Sequence, residues 1–162
     1  MTTISYFDSI KYASYLLTNA GISSIPVLSQ SFGDGKFSPS PPLPPYANSP
    51  KSIKISPDGT KLVALYQSKT EFCTFNPLTG KVTRQFFMNT SYSSSAEFSI
   101  DSKYFYKSTG SIPGIILQYD ATKTDSVQVM QSEILIDSAA TIPCLQMGPD
   151  WKIYGTETDK DS

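Results

Sequence analysis

The chain has 162 residues, of which 39% are hydrophobic and 17% are charged, and its formal net charge is -1. This composition is typical of one globular domain, and the scattered charges exclude the basic stripe that a nucleic-acid-binding protein would need. The sequence contains no histidine, which excludes histidine-based acid–base catalysis, Ser-His-Asp triads and histidine-containing metal sites. Many prolines and tyrosines favour strands and turns, so the fold class that we predict is all-β.

The first predicted elements lie in residues 12–30, which read YASYLLTNAGISSIPVLSQ. Apolar residues flank Asn19-Ala20-Gly21, and this arrangement predicts a strand, a turn and a return strand. No apolar run in the sequence reaches the length of a membrane span, and none at the N-terminus resembles a signal peptide. We therefore expect no membrane span, and a secretion signal would have to lie upstream in a longer protein.

Residues 37–50, FSPSPPLPPYANSP, form a proline-rich segment. Such a segment adopts polyproline II, and it serves either as a stiff loop between structural units or as a ligand for a WW-like groove. We favour the loop. Tyr46 in this segment and Tyr92 in a later predicted loop are expected to be exposed, so both are candidates for contact with a partner.

A repeated unit follows the proline-rich segment. Three stretches align without gaps on an aspartate: SIKISPDGTKLVAL, SAEFSIDSKYFYKS and CLQMGPDWKIYGTE. The aspartates are Asp58, Asp101 and Asp150, which lie 43 and 49 residues apart. Alternating apolar residues precede each aspartate, and an apolar or aromatic residue follows four positions after it. Each stretch therefore predicts a strand, a tight turn and a second strand.

The first copy shows why the chain turns at this point. Pro57 presets the backbone angle φ of the first turn position, Asp58 can bond to the backbone ahead of it, and Gly59 tolerates positive φ. Ser102 takes the place of this glycine in the second copy, whose turn is expected to be less strongly specified. Trp151 takes the same place in the third copy.

A second pattern separates the copies, since EFCTFNPLTGKVTRQFF and IILQYDATKTDSVQV align on Asn76 and Asp120. Each reads as an aromatic-ended strand, a polar turn and a return strand. Four short antiparallel strands per period of about 40 to 50 residues is the pattern of a β-propeller blade. We therefore predict an incomplete β-propeller of about three blades. Its parts are an outer half-blade (1–34), a proline-rich loop (35–50), two blades (51–92 and 93–139) and an inner half-blade (140–162).

The residues that could carry chemistry are better explained by structure. Cys73 and Cys144 lack a CxxC partner, and we predict two buried small side chains in preference to a disulfide. The three turn aspartates lie in separate blades, so they are too dispersed to share a metal ion. We therefore assign no catalytic, cofactor-binding or metal-binding residue, and no cofactor.

Six stretches, in order along residues 12–155, carry a resemblance to a known family. They are YLLTNAGISSIPVLSQ, IKISPDGTKL, TFNPLTGKV, AEFSIDSKYFYKS, ILQYD and LQMGPDWKIYG. Together they resemble the propeller of large surface proteins of the Bacteroidetes, the type IX secretion and gliding-motility-associated group, with WD-like or YVTN-type repeats. The resemblance implies secretion to the cell surface and a recognition or scaffolding role, and it implies no catalytic residues.

These observations lead to two functional hypotheses. The first, which we favour, is a non-catalytic interaction module that is not an enzyme and binds an unidentified protein or glycan through its loops. The second is part of a propeller enzyme, of the lactonase or quinone-dependent dehydrogenase type, with most of its active site in blades outside this chain. Three blades should not close a ring, so the chain is expected to be a fragment. The alternative is a homodimer that completes a six-bladed ring.

Overall fold

The computed structural model describes residues 2–6, 9–30, 50–66, 69–90, 92–139, 142 and 144–157. Its strands are β1 (Thr2–Tyr6), β2 (Ser9–Ser14), β3 (Leu17–Thr18), β4 (Gly21–Ile22), β5 (Val27–Gln30), β6 (Ser52–Ile55), β7 (Lys61–Leu65), β8 (Lys69–Asn76), β9 (Lys81–Asn89), β10 (Ser95–Phe98), β11 (Tyr104–Ser108), β12 (Gly114–Asp120), β13 (Ile134–Ala139), β14 (Cys144–Met147) and β15 (Ile153–Thr156). The helix in these ranges is α1 (Ser126–Gln131). Within the same ranges, no helix has the length and apolar character needed to cross a membrane.

Two four-stranded antiparallel sheets form the centre of the structure. Blade 1 consists of β6, β7, β8 and β9 in that order, and blade 2 consists of β10, β11, β12 and β13 in that order. The N-terminal sheet has the order β1-β2-β5, and β14 pairs with β15 in the C-terminal hairpin. The first strands of neighbouring units lie together, because β10 contacts both β6 and β14. This arrangement confirms the prediction of an all-β, incomplete propeller.

The three repeat turns share one backbone geometry. Gly59, Ser102 and Trp151 all have positive φ, at 71°, 59° and 65°. The aspartate before each of them accepts a backbone N–H from the residue two positions after it, at 3.0, 3.1 and 3.3 Å. The aspartate thus organises the turn even where the glycine is replaced. A residue with a Cβ atom nevertheless bears a steric cost in this left-handed region.

Replacing Trp151 by glycine is expected to raise the free energy of unfolding by about 1 kcal/mol, because glycine adopts positive φ without a Cβ clash. The Trp151 side chain is 64% exposed, so little packing is lost. Ser102→Gly is the matched comparison. It relieves the same strain but removes the 3.0 Å hydrogen bond that the Asp58 N–H donates to the Ser102 hydroxyl. Urea unfolding should show a smaller gain, or a loss, for Ser102→Gly; equal gains in both variants would contradict this account.

Blade 1 packs through both of its faces. One face of blade 1, with Leu62 and Cys73, packs in a cluster with Tyr12 of the N-terminal sheet. The other face, with Val63 and Phe72, packs in a cluster with residues of blade 2. We call the face toward the N-terminal sheet backward and the face toward the C-terminal hairpin forward. Because both faces are covered, β7 is apolar and fully buried from Leu62 to Leu65.

The N-terminal sheet follows the predicted strand, turn and return strand, with an addition. β2 pairs with β5, and between them β3 and β4 form a small hairpin that turns at residues 19–20. β1 is a further strand that the sequence pattern did not predict, and it pairs with β2. The hydroxyls of Tyr12 and Tyr66 donate to the same oxygen of the buried Glu71, at 2.7 and 3.1 Å. This carboxylate is thus held by hydroxyl groups between the N-terminal sheet and blade 1.

A segment predicted as a strand is helical instead. The sequence pattern placed the return strand of blade 2 at the end of the stretch 115–129, but residues 126–129 belong to α1, and the return strand is β13. Asp125 caps the helix, because its carboxylate accepts the Gln128 N–H at 2.9 Å. Val129 anchors it through complete burial between the blades, whereas Val127 stays 62% exposed. Val127 and Val129 therefore belong to one helical turn, and of the two side chains that of Val129 is buried.

The two cysteines differ in their environment. Both are free thiols. Cys73 is 2% exposed, as predicted, and burial raises the pKa of its thiol. The prediction that Cys144 is buried is wrong, because it lies exposed on the first strand of the C-terminal hairpin. Its equivalents in the repeat alignment are Ser52 and Ser95, which shows that this position does not require an apolar side chain.

Candidate functional site

A row of polar side chains lies on the first strands of three successive units. The first strands of propeller blades border the central channel. Lys54 on β6, Glu97 on β10 and Gln146 on β14 each stand four positions before the turn aspartate of their unit. We call these three residues the polar row. Its members occupy equivalent places, so the propeller brings them side by side.

Glu97 is the centre of the polar row. Its Oε2 atom accepts the Lys54 ammonium of blade 1 at 2.8 Å and the Met147 N–H of the C-terminal hairpin at 2.9 Å. Its Oε1 atom accepts the Phe98 N–H at 3.0 Å. Glu97 is 4% exposed, whereas the Lys54 side chain is 24% exposed. One carboxylate therefore joins three units through charge-assisted hydrogen bonds, which are stronger than neutral ones.

Further groups complete the channel side of these strands. Ser95 accepts the Leu145 N–H at 3.1 Å, which is a second link between blade 2 and the C-terminal hairpin. Gln146 is exposed at its position in the polar row. The site thus combines a partly exposed ammonium, a nearly buried carboxylate and an exposed amide, which are groups that bind polar ligands by charge and hydrogen bonds. The described ranges hold no group of three or more Asp, Glu, Cys or His residues that could bind a metal ion.

The turn aspartates are engaged within their own turns. Burial opposes ionisation of Asp58, but hydrogen bonds from Ser56 and Thr60 outweigh it and lower the pKa of the carboxyl to about 2. Asp101 is held in the same way, and a hydrogen bond from Ser99 is the main cause of its lowered pKa. These hydrogen bonds explain why an aspartate occupies this position, since its carboxylate stabilises the turn.

The two tyrosines selected from the sequence lie apart from the polar row in the chain. Tyr46 falls outside the described residues. Tyr92 is 44% exposed, and the Lys51 ammonium lies 3.5 Å from the centre of its ring. Its role in partner binding stays a prediction. The sequence analysis missed the polar row, although the repeat alignment carries the signal: the position is polar in all three copies and lies between apolar neighbours.

No protein-family model and no curated protein matches the chain. Solved structures with a similar fold include candidate 6-phosphogluconolactonases from Bacteroides uniformis and Bacteroides fragilis. The first is 15% identical with a TM-score of 0.56 over 98% of this chain and 49% of its own. The second is 11% identical with a TM-score of 0.51 over 91% of this chain and 48% of its own. This chain therefore spans about half the length of either protein.

A further match is hydrazine synthase from Kuenenia stuttgartiensis, with 17% identity, a TM-score of 0.48, and coverage of 76% of this chain and 32% of its own. Its TM-score is too low to carry an argument. The two structures from Bacteroides have propeller-type folds, so they support the partial β-propeller. They do not address the type IX secretion group or the cell surface, and these parts of the resemblance stay predictions.

The comparisons correct one prediction. The sequence has no histidine, one arginine and four glutamates, and this sparse set led to the prediction that the chain is not an enzyme. That prediction is contradicted, because solved structures with this fold are candidate lactonases. The composition argument excluded histidine chemistry, and it did not exclude chemistry by other residue types.

Proposed function

We propose that the chain forms part of a propeller enzyme that hydrolyses a cyclic ester, with the polar row as its contribution to the active site. The observation that carries the proposal is the contact of 2.8 Å between the Lys54 ammonium and the Glu97 carboxylate on the first strands of adjacent blades. The fold shared with candidate lactonases supports the choice of reaction. Most residues that surround the substrate would come from outside this chain, which spans about half of those proteins.

Hydrolysis of a lactone assigns a role to each charged member of the polar row. A water oxygen attacks the carbonyl carbon, the ring C–O bond breaks, and the products are a carboxylate, a hydroxyl group and one released proton. Glu97 Oε1, which accepts the Phe98 N–H, has a second lone pair that can take the proton of the attacking water. Lys54 supplies positive charge to the oxygen that becomes negative in the transition state.

The proposal is tested by following proton release from δ-gluconolactone and from its 6-phosphate in the presence of the protein. In the propeller that contains this chain together with its missing blades, we expect the wild type to exceed the buffer rate, and Glu97→Gln and Lys54→Met to lower the enzymatic rate at least about a hundredfold. Lys152→Met is the control, since Lys152 pairs with Asp150 in a turn at 3.2 Å and lies outside the polar row. Circular dichroism spectra would confirm that all variants fold. A wild-type rate equal to that of buffer, or full activity in Glu97→Gln, would overturn the proposal.

A further inference from the structure

Blade 2 has an outer forward face that is left uncovered in the described part of the chain. In blade 1, the corresponding face is closed: Phe72 is 4% exposed, and its ring centre lies 5.0 Å from that of Phe105 in blade 2. The alignment on Asn76 and Asp120 makes Ile116 the equivalent of Phe72, and Ile116 stays partly exposed. The C-terminal hairpin covers the inner part of blade 2, where β14 contacts β10 and β11.

The strand β13 shows the same lack of cover. Three consecutive apolar residues on it are exposed, namely Ile134 (52%), Leu135 (59%) and Ile136 (50%). Ile134 lies opposite Gln118, and Asp137 lies opposite Ile116, so both share the forward face. We call Ile116, Ile134 and Asp137 the forward surface. Its two isoleucines lie beside Gln118 and Asp137, and apolar side chains grouped with polar ones on one exposed face are a feature of interfaces.

The N-terminal sheet has a complementary open surface at the other end of the structure. Tyr12 and Ser29 face blade 1, because Tyr12 donates to Glu71 and the Ser29 hydroxyl accepts the Val82 N–H at 3.0 Å. Alternation along β2 and β5 then places Lys11 and Leu28 on the opposite face. Leu28 is 54% exposed. We call Lys11 and Leu28 the backward surface.

The β3–β4 hairpin and its flanks expose more apolar area beside this sheet. The exposed side chains are Leu16 (67%), Leu17 (72%), Ile22 (68%) and Ile25 (82%). Both ends of the structure therefore expose apolar side chains, although Ala13, the partner of Leu28 on the backward face, is 0% exposed. Their charged residues have opposite signs, because the backward surface carries Lys11 and the forward surface carries Asp137.

We propose that the forward surface of one copy binds the backward surface of a second copy, in a head-to-tail dimer. Within the chain, each sheet packs its backward face on the forward face of the unit before it, and the dimer repeats this contact between copies. Such an interface is heterologous, so it forms either a closed ring or an open filament. Closure with two copies fits the comparison in which 98% of this chain corresponds to 49% of a complete propeller-type chain.

Light scattering of the 162-residue chain during size-exclusion chromatography tests the proposal. We expect a mass of twice 17.8 kDa. Ile134→Lys and Leu28→Lys should each give monomers, because each replaces an apolar contact in both junctions of the ring by an ammonium group that loses its hydration. Leu78→Lys is the control: Leu78 is 95% exposed in a turn of blade 1, outside both surfaces, and this variant should stay dimeric.

A mixture of the two disruptive variants separates this arrangement from other dimers. In a mixed pair, the intact forward surface of Leu28→Lys meets the intact backward surface of Ile134→Lys, and both lysines fall in the second junction. Mixing should therefore restore a dimer that neither variant forms alone. A monomeric wild type, a dimer that withstands both substitutions, a mixture that stays monomeric, or a series of growing oligomers would each overturn the proposal. Thermal unfolding would confirm that each variant is folded.

Discussion

Replacing Phe105 by alanine is expected to lower the free energy of unfolding by about 3–5 kcal/mol, which is the usual cost of removing a buried phenylalanine ring. Phe105 is 0% exposed. Its ring stacks on Tyr119 with centres 4.8 Å apart, and meets Phe72 of blade 1 edge-on at 5.0 Å. The substitution would open a cavity between the blades, where the surrounding strands are too constrained to collapse.

Tyr104→Ala provides the matched control for this loss. Tyr104 precedes Phe105 on the same strand, points to the other face, and is 38% exposed. Its truncation should lower the free energy of unfolding by less than about 1 kcal/mol, apart from the lower strand propensity of alanine. Urea unfolding monitored by far-ultraviolet circular dichroism gives both values. Losses of similar size in the two variants would show that Phe105 is not a central contact.

The stability of the protein should rise with pH through the titration of Lys107. This residue is 0% exposed on β11, and desolvation lowers the pKa of its ammonium group to about 8, although the charge of Glu133 acts in the opposite direction. Below pH 8 the amine is protonated in the folded and unfolded states. Between about pH 8 and its unfolded value near 10.4, the unfolded chain keeps the proton and the folded chain has released it. The unfolded state then binds more protons, so stability increases with pH.

The comparison with Lys107→Met isolates this effect, because other groups titrate in both proteins. The free energy of unfolding of the wild type minus that of the variant should increase by roughly 3 kcal/mol between pH 7 and pH 10.5. Chemical denaturation at a series of pH values measures it. If this difference stays constant or decreases as the pH rises, the folded protein does not lower the pKa of a buried amine at this position.

The fold was predictable because its signals are local and repeated. Asp58, Asp101 and Asp150 mark the same turn three times, and hydrogen bonds to the backbone make such a turn largely independent of distant contacts. The positive φ of Ser102 and Trp151 confirms the gapless alignment at positions where the glycine is absent. Four strands per repeat then led to the propeller.

Other features depend on tertiary contacts that a sequence pattern does not contain. The spacing of Val127 and Val129 fits a strand as well as a short helix. The hydrogen bond by which Asp125 caps the segment favours the helix. The environment of Cys144 depends on which strands cover its sheet. The polar row went unnoticed because Lys54, Glu97 and Gln146 differ in chemistry, and their common position becomes meaningful when adjacent blades bring them together.

The shared apolar clusters between sheets have a consequence for how such a protein can change during evolution. A single apolar cluster contains Val63 and Phe72 from one blade and Phe98 and Phe105 from the next. Each such contact between sheets, which we call a seam, is therefore built by two neighbouring sheets. Loss of a strand inside one blade would disturb two seams at once. Duplication of a whole blade copies a complete seam and leaves the others intact, as in other repeat architectures. Gain or loss of whole repeats is therefore the kind of sequence change that this architecture tolerates best.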